Sequence, residues 1–291
     1  MKKHSVLSAA LGGFIVISCL CACSNAEKPK AFPAITHRSE AFVAEMTGAT
    51  EETTQAAVTQ PQTNAVAATH AADATAPAAT TPPKTGAGVD AAWFDDAVFV
   101  GDSVTLKLSY YCEDHPEALS DTQFFCAGSL SYTNALWPLD DPDAVHPYYQ
   151  GQTYLTEDCA KVTGAKKVFI MLGMNDIGLS GVDGAMENAN TLIGNIKKNS
   201  PDVTFYIESV TPMIPSAEGD VLNNTKIREL DERLEQFANE NGYQYLDLYH
   251  ALADEDGCLP LEYCGDPDGQ GIHFTDAACE LWVQYLKENV R

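Results

Sequence analysis

Basic residues are scarce in this chain. Lys and Arg number 17 against 41 Asp and Glu, a formal net charge of −24. The imbalance lies from Val89 onward, where 35 residues are acidic and 11 basic. Such a surface repels polyanions, which argues against a nucleic-acid-binding protein. Paired CxxC spacing is also missing. The six cysteines beyond the first 25 residues stand at 112, 126, 159, 258, 264 and 279, a pattern that predicts no zinc site. Their even number permits disulfides, and Cys258 and Cys264 are close enough in sequence to close a small loop. Buried free thiols are the equal alternative. Large apolar residues are nearly absent from 25 to about 88, where Ala, Thr, Pro and Gln dominate. That stretch has little to bury against the entropy cost of folding, so it is predicted to be a disordered tether, partly extended by its prolines.

The N-terminus carries a different signal. Lys2 and Lys3 precede an apolar run from about Val6 to Leu20. A basic start and a run too short for a permanent span are the layout of a secretory signal. The run ends in Leu20-Cys21-Ala22-Cys23, which resembles the lipobox of bacterial lipoproteins. The resemblance implies that residues 1–22 are removed and that Cys23 receives lipid. Residues 23–88 would then tether residues 89–291 at the extracytoplasmic face of a bacterial cell membrane. An ordinary cleaved signal is the plainer alternative.

About 200 residues remain, enough for one domain with a sizeable core. Five apolar runs predict strands: AVFVGDS, the weaker TQFFCAG, AKKVFIMLG, DVTFYIESVTP and YQYLDLY. Helical patterns cover 183–199, 224–241 and 276–289. The second places Ile227, Leu230, Leu234 and Phe237 on one stripe. The third does so with Ala278, Leu281, Trp282 and Tyr285, with Thr275 as its N-cap. Alternating strands and helices predict an α/β fold, a three-layer α/β/α sandwich around a central parallel sheet. Ligands bind such sheets beyond the carboxyl ends of the strands.

The strand ends carry reactive types. Gly101-Asp102-Ser103 follows the first strand, Ala127-Gly128-Ser129 the second and Gly173-Met174-Asn175-Asp176 the third. His273 precedes the last helix. A serine hydroxyl becomes a nucleophile when an imidazole takes its proton. A carboxylate can fix that imidazole's tautomer. The N–H groups of Ser103 and Gly128 and the amide of Asn175 could hold an oxyanion. Asp102 and Asp176 read as acceptors for nearby backbone N–H groups. Trp137, Tyr148, Tyr149 and Tyr154 fill the long stretch between the second and third strands, where aromatics could stack on a sugar ring or pack under a loop.

GDS, GMND and the late histidine, in this order, resemble the SGNH (GDSL-type) hydrolase superfamily over roughly Ala92–Arg291. The resemblance implies a flavodoxin-like fold and ester hydrolysis with no cofactor and no metal. It implies Ser103 as nucleophile, His273 as base, and Ser103, Gly128 and Asn175 as oxyanion donors. One departure stands out. The family's aspartate sits three residues before the histidine, where this chain has Gln270. Asp268 stands five residues before His273 and Asp266 seven; either a loop flexible at Gly269 and Gly271 brings Asp268 to the imidazole as third member, or a backbone carbonyl orients His273 and the pair works as a Ser-His dyad. The expected activity is that of an extracytoplasmic serine esterase removing acyl groups, acetyl first, from a small-molecule or carbohydrate ester. Acyl transfer to a sugar hydroxyl uses the same residues. A carbohydrate-binding module without chemistry is the alternative that a displaced Asp268 keeps open.

Overall fold

A computed structural model of the protein describes residues 88–291. The expected signal, the lipidated Cys23 and the tether lie outside the described residues. Five strands build the sheet: β1 (Ala97–Gly101), β2 (Gln123–Cys126), β5 (Lys167–Met171), β6 (Thr204–Glu208) and β7 (Gln244–Leu246). Their order is β2-β1-β5-β6-β7, and every pairing is parallel. A two-stranded hairpin, β3 (Tyr148–Tyr149) and β4 (Gln152–Thr153), stands apart; its two-residue strands carry no apolar alternation that predicts them.

Each central strand is buried on both faces, so its side chains alternate between two cores. Val98, Val100, Val168, Ile170, Phe205 and Ile207 enter one. Phe99, Phe169, Met171 and Tyr206 enter the other. There Phe99 stacks on Phe169, and Phe169 on Tyr206, each pair with centroids 4.4 Å apart. On this second face pack α1 (Ser103–Asp114), α6 (Leu248–Leu252) and α7 (Asp276–Asn289). The first face carries α2 (Cys159–Thr163), α3 (Met174–Leu179), α4 (Gly181–Asn199) and α5 (Asn224–Asn241). This is the expected three-layer α/β/α sandwich.

Helix stripes follow the expected period with small shifts. Ile227, Leu230, Leu234 and Ala238 of α5 are fully buried, and Phe237 flanks them. Burying each of the larger ones contributes roughly 1.5–3 kcal/mol. In α7 the buried face is Ala278, Cys279, Trp282, Val283 and Leu286, while Leu281 and Tyr285 are only partly covered. Thr275 occupies the N-cap position of α7 but makes no capping bond. Its hydroxyl donates to the Glu262 carbonyl instead. The six cysteines at 112–279 are free thiols, including Cys258 and Cys264.

Candidate active site

Gly101 closes β1 where only a glycine fits. A Cβ there would lie 1.9 Å from Thr105 Oγ1 and 2.9 Å from the Met171 carbonyl. The close approach lets α1 start two residues later. Asp102 is its N-cap, with Oδ1 accepting the Val104 N–H at 2.9 Å. Ser103 therefore sits at the first helical position. Its own N–H has no intrahelical acceptor there, and the helix dipole favours negative charge beside it.

His273 reaches the serine from 170 residues away: Nε2 lies 3.0 Å from Ser103 Oγ. The carboxylate on the other ring nitrogen is Asp266, not Asp268. Asp266 Oδ2 lies 2.7 Å from His273 Nδ1. Asp268 is exposed, and the reason is a turn. In Asp266-Pro267-Asp268-Gly269 the Gly269 N–H donates to the Asp266 carbonyl at 2.8 Å. Proline at the second position and glycine at the fourth favour such a turn, which puts Asp268 at its tip. The chain then folds back over the Asp266 carboxylate. Oδ1 accepts the N–H groups of Ile272 (3.1 Å) and His273 (3.0 Å), and Oδ2 that of Gln270 (3.0 Å). Cys264 Sγ adds a contact at 3.5 Å. Gly271 makes the return possible. Its φ is +67°, and a Cβ would lie 2.5 Å from Ile214 Cγ1. Burial acts to raise the Asp266 pKa, but the hydrogen bond and charge of His273 and the backbone N–H group outweigh it, and the net shift is downward.

Asn175, in the first turn of α3, is drawn to the same point. Its Nδ2 donates to Asp102 Oδ2 (3.2 Å) and to the Leu130 carbonyl (3.1 Å). Both amide hydrogens are engaged, so holding an oxyanion requires one, the longer bond to Asp102, to be shared. Asp176 beside it accepts the N–H groups of Tyr132 and Thr133, each at 2.9 Å, and the Thr133 hydroxyl at 2.6 Å. These neighbours together clamp the loop after β2 against α3. Asp102 is buried, and burial above all lifts its pKa to about 6, with the Val104 N–H and the charge of His273 acting against that rise. Asp102 thus does more than cap α1: it also holds the Asn175 amide.

Gly128 lies in the turn that leaves β2. Cys126 pairs with Gly101, so Gly128 and Ser103 each lie two residues beyond the paired position. Nothing in the fold demands glycine there. Its φ is not left-handed, and an added Cβ would meet no atom within 4 Å. That open space leaves room for a ligand to approach its backbone.

Comparison with known proteins places this arrangement in a class. Residues 99–281 match the model of the GDSL-like lipase/acylhydrolase family. The chain belongs to that family, and it is an SGNH-type hydrolase. No curated protein matches significantly. Among solved structures, one similar chain is a Streptococcus pneumoniae protein given a provisional platelet activating factor assignment. It has a TM-score of 0.50 and 20% identity, over 66% of this chain and 82% of that one. A GDSL-like lipase from Bacteroides thetaiotaomicron follows at 0.49 and 17%, over 66% and 86%. A lipase/acylhydrolase from Enterococcus faecalis stands at 0.47 and 18%, over 65% and 92%.

Proposed function

We propose that this protein is an extracytoplasmic serine esterase that removes short acyl groups, acetyl foremost, from carbohydrate. The observation that carries the reading is the continuous chain from Ser103 Oγ through His273 to Asp266, at 3.0 and 2.7 Å. Ser103 Oγ attacks the ester carbonyl and His273 Nε2 takes its proton. Asp266 accepts the Nδ1 hydrogen, fixing the tautomer and stabilising the imidazolium. The N–H groups of Ser103 and Gly128 and the Asn175 amide hold the oxyanion. His273 then protonates the leaving alkoxide. Water, deprotonated by the same imidazole, releases the acid and restores Ser103.

Among the described residues the exposed large apolar side chains, Leu139, Tyr148, Val221 and Leu261, stand at separate positions along the chain and form no apolar lid segment, which favours a small acyl group over a long apolar chain. The location rests on the sequence: Lys2, Lys3, the apolar run and Cys23 as the lipid attachment. Among the described residues no helix is long and apolar enough to cross a membrane. Asp266 fills the place that an exposed Asp268 leaves, which weighs against a module without chemistry. Residues 88–291 are to be assayed with p-nitrophenyl acetate beside Ser103→Ala. Turnover that Ser103→Ala abolishes supports the reading. A folded protein no faster than Ser103→Ala, and inert to a fluorophosphonate probe, overturns it. For the anchor, growth with an alkyne-tagged fatty acid should label the full chain and not Cys23→Ala.

A further inference from the structure

A groove of about 370 Å³ runs down the open edge of the sheet between α1 and β2. That volume is in the usual range for small-molecule sites, roughly 300–1,000 Å³. Beside Cys112, α1 contributes Leu106, Ser109, Tyr110 and Glu113. These lie three, six, seven and ten positions beyond Ser103, so they share one helix face. At 1.5 Å per residue the groove starts about 4.5 Å along the helix axis from the nucleophile and ends about 15 Å from it. Cys126 of β2, the register partner of Gly101, marks the same upper end. The groove therefore leads away from Ser103.

Its opposite wall comes from Ser120, Thr122, Phe124 and Cys126, on and just before β2, and the β3–β4 hairpin adds Tyr148. Tyr149 turns inward: its hydroxyl donates to Gln123 Oε1 of β2 at 2.7 Å, and its ring lies 5.7 Å from that of Phe125. Successive strand residues point to opposite sides. Tyr148 consequently faces out, is 65% exposed, and lines the groove with Phe124. The hairpin turn uses a left-handed non-glycine residue, Gln150 at φ +47°, followed by Gly151 at +90°. Its effect is to pin a tyrosine ring at the rim.

From this geometry we propose that the α1–β2 groove is a glycan subsite, holding a neutral oligosaccharide whose O-acyl group lies at Ser103, with Tyr148 as the stacking surface. The proposal rests on the esterase reading above and names the part of the substrate that this reading leaves open. The lining selects the class. Aromatic rings take the C–H face of a sugar, because a π-face is electron-rich. Ser109 Oγ already donates to the Leu106 carbonyl (2.8 Å) and Thr122 Oγ1 to the Ala97 carbonyl (3.2 Å), so toward a sugar hydroxyl they serve as acceptors, and Glu113 adds a carboxylate to the lining. A carboxylate within a chain of charge −24 disfavours an anionic ligand.

The test compares two substrates in one protein. Wild type, Tyr148→Ala and Tyr148→Phe are assayed on p-nitrophenyl acetate and on mono-O-acetylated cello-, xylo- and chito-trioses. In Tyr148→Ala the ratio of kcat/KM for the best acetylated trisaccharide to that for p-nitrophenyl acetate should fall at least tenfold, mainly through KM. Tyr148→Phe should restore it. An unchanged ratio overturns the subsite. If the trisaccharides are not turned over, saturation-transfer NMR on Ser103→Ala with the deacetylated trioses decides. Binding that Tyr148→Ala removes upholds the subsite; no binding by any triose overturns it. Loss of p-nitrophenyl acetate turnover, by contrast, counts against the esterase reading alone.

Discussion

Asp266 and Glu208 are both poorly exposed carboxyl groups, and they ionise in opposite directions. Glu208, at the end of β6, is 1% exposed and receives the Trp282 indole N–H at 2.8 Å. Burial dominates, and its pKa is pushed up to about 8. Asp266 also feels burial, but three backbone N–H groups and an imidazole converge on it, and its pKa falls. What decides the charge of a sheltered acid here is the set of donors aimed at it. A single neutral donor leaves Glu208 a protonated structural group at neutral pH. A cage of donors with a titratable ring keeps Asp266 an anion, able to stabilise a positive imidazole.

The sharpest way to test this contrast is to remove the chemistry that Asp266 serves. Ser103→Ala should lower kcat on p-nitrophenyl acetate by about 10⁶-fold, measured against the uncatalysed rate. Asp266→Asn keeps the shape of the cage but not the charge, and should cost about 10⁴-fold, with the imidazole left in the wrong tautomer. Asn175→Ala should lose about 10²- to 10³-fold in kcat with little change in KM, as expected for a donor used in the transition state.

The other half of the comparison is read in stability. An unfolded glutamate releases its proton near pH 4.5, whereas folded Glu208 holds it until about 8. Between those values the native state binds more protons than the unfolded state. Stability from this group is therefore full below about 4.5 and is lost as pH rises through 8. Glu208→Gln, which retains an acceptor for Trp282, should raise the midpoint of thermal unfolding at pH 9 and leave it unchanged at pH 4. A gain on the order of a few kcal/mol is expected, and a loss at pH 9 would contradict an acid that burial pushes up to about 8. The smallest effect belongs to Asp268→Asn, at the exposed tip of its turn: turnover should stay within about twofold, since charge there is screened by water.

Much of this molecule is legible in the sequence because strand and helix periods are strong where both sheet faces are buried. All five sheet strands and the bounds of α5 and α7 follow from apolar spacing alone. Ser103, Asn175 and His273 stand out because each directly follows a strand or precedes a helix. Asp266 is obscured because counting residues assumes an extended chain, and Pro267 and Gly269 fold this segment back. The Asp-Pro-Asp-Gly turn signature was the signal that could have found it. The hold of Asp102 on Asn175 crosses 73 positions and leaves no local trace. The β3–β4 hairpin has strands of two residues, too short for any periodicity to register.

The seven-residue gap between Asp266 and His273 has a kinetic consequence. Their contact is local, whereas the contact of His273 with Ser103 spans 170 positions. Short loops close early and long ones late, because closure entropy grows with the chain enclosed. The acid–base pair can form while much of the chain is still unfolded, but the nucleophile meets it only when β1 and the segment before α7 are docked on the same sheet. Recovery of turnover during refolding therefore reports the completion of the whole topology, and no fragment that lacks either end of the domain can report it early.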